Sequence, residues 1–221
     1  MYYTNVTNAT VKVGIKVNLF LVLVSGICWS LVYLELIRKG FQDKTCAMPL
    51  FVLGLNFAWE IIYSLDSLIL NTASVQGWVN LVRACLDAVI VYTFFRYGRE
   101  AFPEKARKYF VPFSLLAFTA CFTIQFAFYF HFENVAASKY SAFVQNAAMS
   151  ILFLTMLFTR GNTRGQTVLM AAAKWIGTLA PTILGGFVEE FNIYIVLTGA
   201  VCFVFDGIYT VMLAKWKRTG L

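Results

Sequence analysis

Residues 48–70 read MPLFVLGLNFAWEIIYSLDSLIL. The run holds two acids, Glu60 and Asp66, and neither lysine nor arginine. A helix needs about 20 apolar residues to cross the hydrocarbon of a bilayer, and this stretch is long enough. It therefore reads as a membrane span with a glutamate in its middle. An ionisable group at that depth is costly and is a functional suspect by default.

The rest of the chain fits the same solvent. Of its 221 residues 60% are hydrophobic and 13% charged, against about 45–50% and 25% in soluble domains. Seven apolar runs are spaced along it: roughly 17–37, 48–70, 77–96, 111–132, 140–159, 167–187 and 193–213. The expected fold class is all-α, a polytopic integral membrane protein with seven transmembrane helices in one bundle, forming a single domain over 1–221. The first 16 residues are polar, so no cleavable signal peptide is expected. The five cysteines, Cys28, Cys46, Cys85, Cys121 and Cys202, are odd in number and lack CxxC spacing, which indicates neither a disulfide framework nor a zinc site. The single histidine, His131, reads as an interfacial residue at the end of a span.

A net charge of +7 could point to nucleic acid. The basic residues instead cluster in the short connections, as orientation signals do. The first, third and fifth connections and the C-terminal tail carry thirteen lysines and arginines, and the opposite side carries three, Lys12, Lys16 and Lys139. This bias places the odd connections and the C-terminus in the cytosol and the N-terminus in the lumen. Two N-glycosylation sequons, Asn5-Val6-Thr7 and Asn8-Ala9-Thr10, fall on the lumenal tail. The pattern fits a multi-pass protein of the endoplasmic reticulum.

The deep ionisable residues are Glu60, Asp66, Arg83, Asp87, Lys174 and Asp206. Arg83 and Asp87 are four apart and can pair on one helix face. Lys174 reads as a supporting residue that snorkels or neutralises a buried carboxylate. Glu60 and Asp206 have no cation one turn away. At a rise of about 1.5 Å per residue, they lie about 18 Å and 10 Å from the cytosolic ends of their helices, so one cavity could hold both. Burial in an apolar site favours the neutral form of a carboxyl, and a protonated acid at neutral pH can serve as a general acid. Asn56, Trp59, Glu60 and Tyr63 share one face of the second span, and Tyr209 shares a face with Asp206. Aromatic faces attract cations, so an acid in an aromatic pocket could start a carbocation and shelter it.

These residues also carry a resemblance. Asn56-x-x-Trp59-Glu60, Leu86-Asp87, Gln145-Asn146 with Met149-Ser150, Gly177-Thr178-Leu179-Ala180-Pro181 and Asp206-x-x-Tyr209 occur in this order. The pattern resembles the membrane-bound terpene cyclases of fungal meroterpenoid and indole-diterpene pathways, of the pyripyropene and paxilline type. The resemblance implies metal-independent, proton-initiated cyclisation of an epoxidised farnesyl or geranylgeranyl chain. It implies that Glu60 and Asp206 are the catalytic acids, with Asn56, Trp59, Tyr63, Asp87, Asn146, Trp175 and Tyr209 against substrate or cation, and Lys174 and Arg83 in support. No cofactor is implied. The only aspartates are Asp43, Asp66, Asp87 and Asp206, so neither DDxxD nor DxDD occurs. The expected partners are a small-molecule epoxyprenyl substrate and the lipid bilayer, with no nucleic acid.

The main alternative is a small transporter of three-one-three architecture with parallel repeats. Asp87 lies nine residues before Arg96, and Asp206 nine before Lys215, which hints at such a repeat. The first and fifth spans show no comparable match, Glu60 has no acidic counterpart on the sixth span, and the repeat reads as ancestry rather than as evidence of transport. A retinal protein would need a lysine within the seventh span, where only Lys215 occurs, at its end.

Overall fold

The computed structural model describes residues 2–70 and 75–220, with the side chains of 2–15, 70 and 134 outside the description. The two sequons and Lys12 fall among those undescribed side chains. The helices are α1 (Tyr2–Gln42), α2 (Leu50–Leu65), α3 (Val75–Tyr97), α4 (Phe110–His131), α5 (Asn134–Arg160), α6 (Val168–Ile183) and α7 (Ile193–Thr219). Each, with its short flanking turns, contains a span long and apolar enough to cross a membrane. No strand occurs among the described residues.

The expected spans match in number and order, but several helices outrun them. α1 begins at Tyr2 rather than near residue 17, and α7 continues to Thr219 rather than 213. Hydropathy marks only the apolar part of a helix, whereas the helix continues until a cap or a turn stops it. α5 runs to Arg160 and ends where Gly161 takes φ 61°, a left-handed conformation that glycine adopts without steric cost. α6 and α7 start sharply because the side chains of Thr167 and Asn192 accept from the amides of Met170 and Ile195.

α1 packs on α6 and α3, α2 on α3, α4 and α5, and α7 on α5 and α6. One contact shows how α1 and α6 come together. Pro181 lies inside α6 and has no amide to give the carbonyl one turn earlier, that of Gly177. The Ser25 hydroxyl of α1 donates to that carbonyl at 2.9 Å. A side chain at Gly177 would meet Cys28 and Trp29 of α1, so the small residue lets the two backbones approach.

The hinted repeat is visible in the elements. α2 and α6 each have 16 residues, and each ends in a five-residue π-helix, Asp66–Leu70 or Leu184–Val188. α3 and α7 follow at the same spacing. α1–α3 and α5–α7 thus form two similar three-helix units, and α4 is the unmatched helix between them.

Candidate active site

Glu60 faces the interior from α2 and is 3% exposed. Its Oε1 accepts from the Tyr33 hydroxyl of α1 at 3.2 Å. Its Oε2 is buried and has no hydrogen-bond partner among the described residues. Tyr33 also donates to Asp87 Oδ2 of α3 at 3.5 Å. Asn56, one turn before Glu60, donates to that Oδ2 at 2.7 Å and to the Tyr33 oxygen at 2.6 Å. Two carboxyls are thereby joined through one phenol and one amide. Asn56 is held in turn by Gln145 of α5 at 3.4 Å, and Gln145 by Gln125 of α4 at 2.7 Å. Five helices therefore contribute to one buried polar chain.

Glu60 opens onto a pocket of about 110 Å³. Trp29, Trp59, Tyr33 and Asn56 form much of its wall, and Asn146 and Arg83 also line it. The Trp59 indole nitrogen donates to the Ser138 carbonyl at 3.1 Å, and its ring lies 5.0 Å from that of Tyr63. The tryptophan face is thus set by a hydrogen bond as well as by packing. Tyr63 extends the aromatic wall into an adjoining cavity of about 490 Å³ that shares Trp59 and Ala142.

Asp206 lies elsewhere. Both its oxygens accept from Lys174 Nζ at 2.8 Å, and Lys174 also donates to Ser150 at 2.7 Å. The pair is inaccessible to solvent. The expectation that Glu60 and Asp206 share a cavity is not met, because Asp206 does not line the pocket onto which Glu60 opens. The two clusters are linked instead: Ser150 donates to the carbonyl of Asn146 at 2.9 Å, and Asn146 lines the pocket. The clusters also occupy matching places in the two units. Tyr33, Asn56 and Asp87 come from α1, α2 and α3; Ser150, Lys174 and Asp206 come from α5, α6 and α7.

Other expectations are redrawn as well. Arg83 and Asp87 do not form an ion pair; Asp87 turns to Asn56 and Tyr33, while Arg83 lines the pocket with no ion-pair partner among the described residues. Tyr209 is buried, donates to Gln166 at 2.9 Å and packs on Phe153. Trp175 packs on Phe203. Neither residue lines the Glu60 pocket. Lys174 does neutralise a buried carboxylate, as one of its two readings required. Tyr33 and Trp29 were missed. They lie one turn apart on α1, and an aromatic pair at that spacing in an apolar span normally signals packing.

The sequence profile of Pyr4-like transmembrane terpene cyclases matches residues 12–219. The chain belongs to this family. Among curated relatives of this Pyr4-like chain, it is 30% identical to the Pyr4-family terpene cyclase mfmH of Annulohypoxylon moriforme, over 72% of the chain and 66% of the relative. It is 24% identical to terpene cyclase dpmpB of Macrophomina phaseolina, over 71% and 65%. It is also 24% identical to terpene cyclase pyr4 of Aspergillus fumigatus, over 89% and 85%. The chain spans about two thirds of the length of the first two. No solved structure matches it.

Proposed function

We propose that this Pyr4-like chain is a terpene cyclase of the endoplasmic reticulum membrane, and that Glu60 protonates the terminal epoxide of a farnesyl or geranylgeranyl chain on a meroterpenoid or indole-diterpene precursor. The observation that carries this reading is that Glu60 Oε2, beside a tryptophan-walled pocket, has no hydrogen-bond partner among the described residues. The proton passes from Glu60 to the epoxide oxygen as a C–O bond breaks. Neighbouring alkenes attack in turn, and the rings of Trp29 and Trp59 face the developing cations. Loss of a proton at the end leaves a product isomeric with the substrate. Asp87 is joined to Glu60 through the Tyr33 hydroxyl. Asp206 acts as a positioning residue: paired with Lys174, it holds the α5 turn that carries Asn146.

A pocket of about 110 Å³ is smaller than the roughly 300–1,000 Å³ that ligand sites usually offer. The rest of the substrate extends into the adjoining spaces. One groove of about 670 Å³ shares Ser25 and Arg83 with the pocket and is lined by apolar side chains of α1 and α3. Its walls include the exposed Leu23, Ile27 and Leu34, so it opens sideways to lipid, where a prenyl chain partitions. The chain's orientation is N-terminus lumenal and C-terminus cytosolic.

The test is a microsome assay with epoxyfarnesyl and epoxygeranylgeranyl compounds, read by mass spectrometry and NMR. Wild type should form a cyclic isomer. Glu60→Gln, at normal abundance, should lose about 100- to 10,000-fold in rate, and Tyr33→Phe about tenfold. Glu60→Gln cyclising at the wild-type rate would remove Glu60 from the chemistry.

A further inference from the structure

At the basic end of the bundle, the first, third and fifth connections meet around a polar pocket of about 460 Å³. Lys44 comes from the first connection. Arg107 comes from the 3₁₀-helix Glu104–Tyr109 of the third. Arg160 and Arg164 come from the end of α5 and the loop beyond it. Glu100 is the only acid in the lining. Among the described residues, none of the four cations is in an ion pair. The arginines are held by neutral carbonyls: Arg160 by Cys46 at 2.8 Å, Arg164 by Asp43 at 2.7 Å, and Arg107 by Phe102 at 3.4 Å. The nearby Asp43 carboxylate is already engaged by Lys39 and by the Gly165 amide. Three connections thus place four positive charges around one cavity, against the single carboxylate of Glu100.

We propose that this pocket is a binding site for a phosphate-bearing anion, the headgroup of an anionic phospholipid in the leaflet at this end of the bundle. Guanidinium groups match phosphate geometry with paired donors. Basic pockets between membrane helices at a bilayer surface suit phosphorylated headgroups. The volume falls in the usual range for a small ligand. The site is separate from the Glu60 pocket, shares no lining residue with it, and does not depend on the cyclase reading.

The experiment is native mass spectrometry of the full chain released from phosphatidylcholine nanodiscs, with and without a minor fraction of a phosphatidylinositol monophosphate. A third arm adds inorganic phosphate to phosphatidylcholine nanodiscs and reads thermal stability. Wild type should retain the phosphoinositide in preference to phosphatidylcholine. Lys44→Gln with Arg107→Gln should lose about fivefold in retention per charge removed, about 25-fold together. Lys139→Gln, at the opposite end, is the one-charge control matched to Lys44→Gln and should retain it fully. Thermal melting verifies that each variant is folded, and Lys44→Gln alone serves should the double variant unfold. Equal losses in the Lys139 control, or retention unchanged in Lys44→Gln, would overturn the site. Stabilisation by inorganic phosphate without lipid retention would overturn the lipid as its source.

Discussion

Lys174 and Asp206 are a buried ion pair with one further hydrogen bond, to Ser150. Removing one partner strands a charge at a cost of about 3–5 kcal/mol, whereas replacing both by apolar side chains is often close to neutral. Asp206→Asn should therefore lower abundance and melting temperature sharply. Asp206→Leu combined with Lys174→Met should restore both, along with a measurable part of cyclisation. A well-folded but fully inactive double variant would show that the Lys174–Asp206 pair serves the reaction beyond stabilising the fold. At this scale the sequence was partly legible. Asn56, Trp59 and Glu60 stand out because an acid and an amide share one face of an apolar helix. Tyr33 does not, because its partners lie 27 and 54 residues away and only helix packing joins them. The four-residue spacing of Arg83 and Asp87 permitted a pair, but Asn56 offers Asp87 a hydrogen bond across helices.

The connection after α1 and the one after α5 are latched at Asp43. Its carboxylate accepts from the Gly165 amide at 2.8 Å and from Lys39 at 3.2 Å. Burial opposes its charge, but the Gly165 amide and the Lys39 and Lys217 charges together outweigh it and hold the carboxyl below its ordinary value. An acid depressed in the folded state contributes stability above its unfolded pKa, about 3.9, and loses it as pH falls through the folded value. Hydrogen-exchange protection in residues 161–167, taken relative to the intrinsic rate at each pH, should therefore hold at neutral pH and fall below about pH 4. Asp43→Asn should show low protection at every pH. Protection that is independent of pH in wild type would show that the latch bears no load. The existence of these elements was legible from hydropathy, but the π-helices after α2 and α6 were not. A π-turn adds one residue to a helical turn without a compositional mark.

For the whole molecule, the excess of lysine and arginine predicts orientation. A C-terminal tag should be digested by protease on intact microsomes, and the Asn5 or Asn8 sequon should gain a glycan that a glycosidase removes. Protection of the tag, with no glycan, would invert the topology. The two-unit design was legible only as the equal spacing of Asp87 from Arg96 and Asp206 from Lys215. The chemical match between the units is looser, amide with carboxyl in one and ammonium with carboxylate in the other, and such a match cannot be aligned by letter. The odd size of the unit has a further consequence. Three crossings leave a polypeptide on the far side from where it started, so a second copy pointing the same way requires one more traverse. α4 is that return stroke. A segment needed merely for parity has also been put to use, since its Gln125 clamps Gln145 and so steadies the amide beside Glu60.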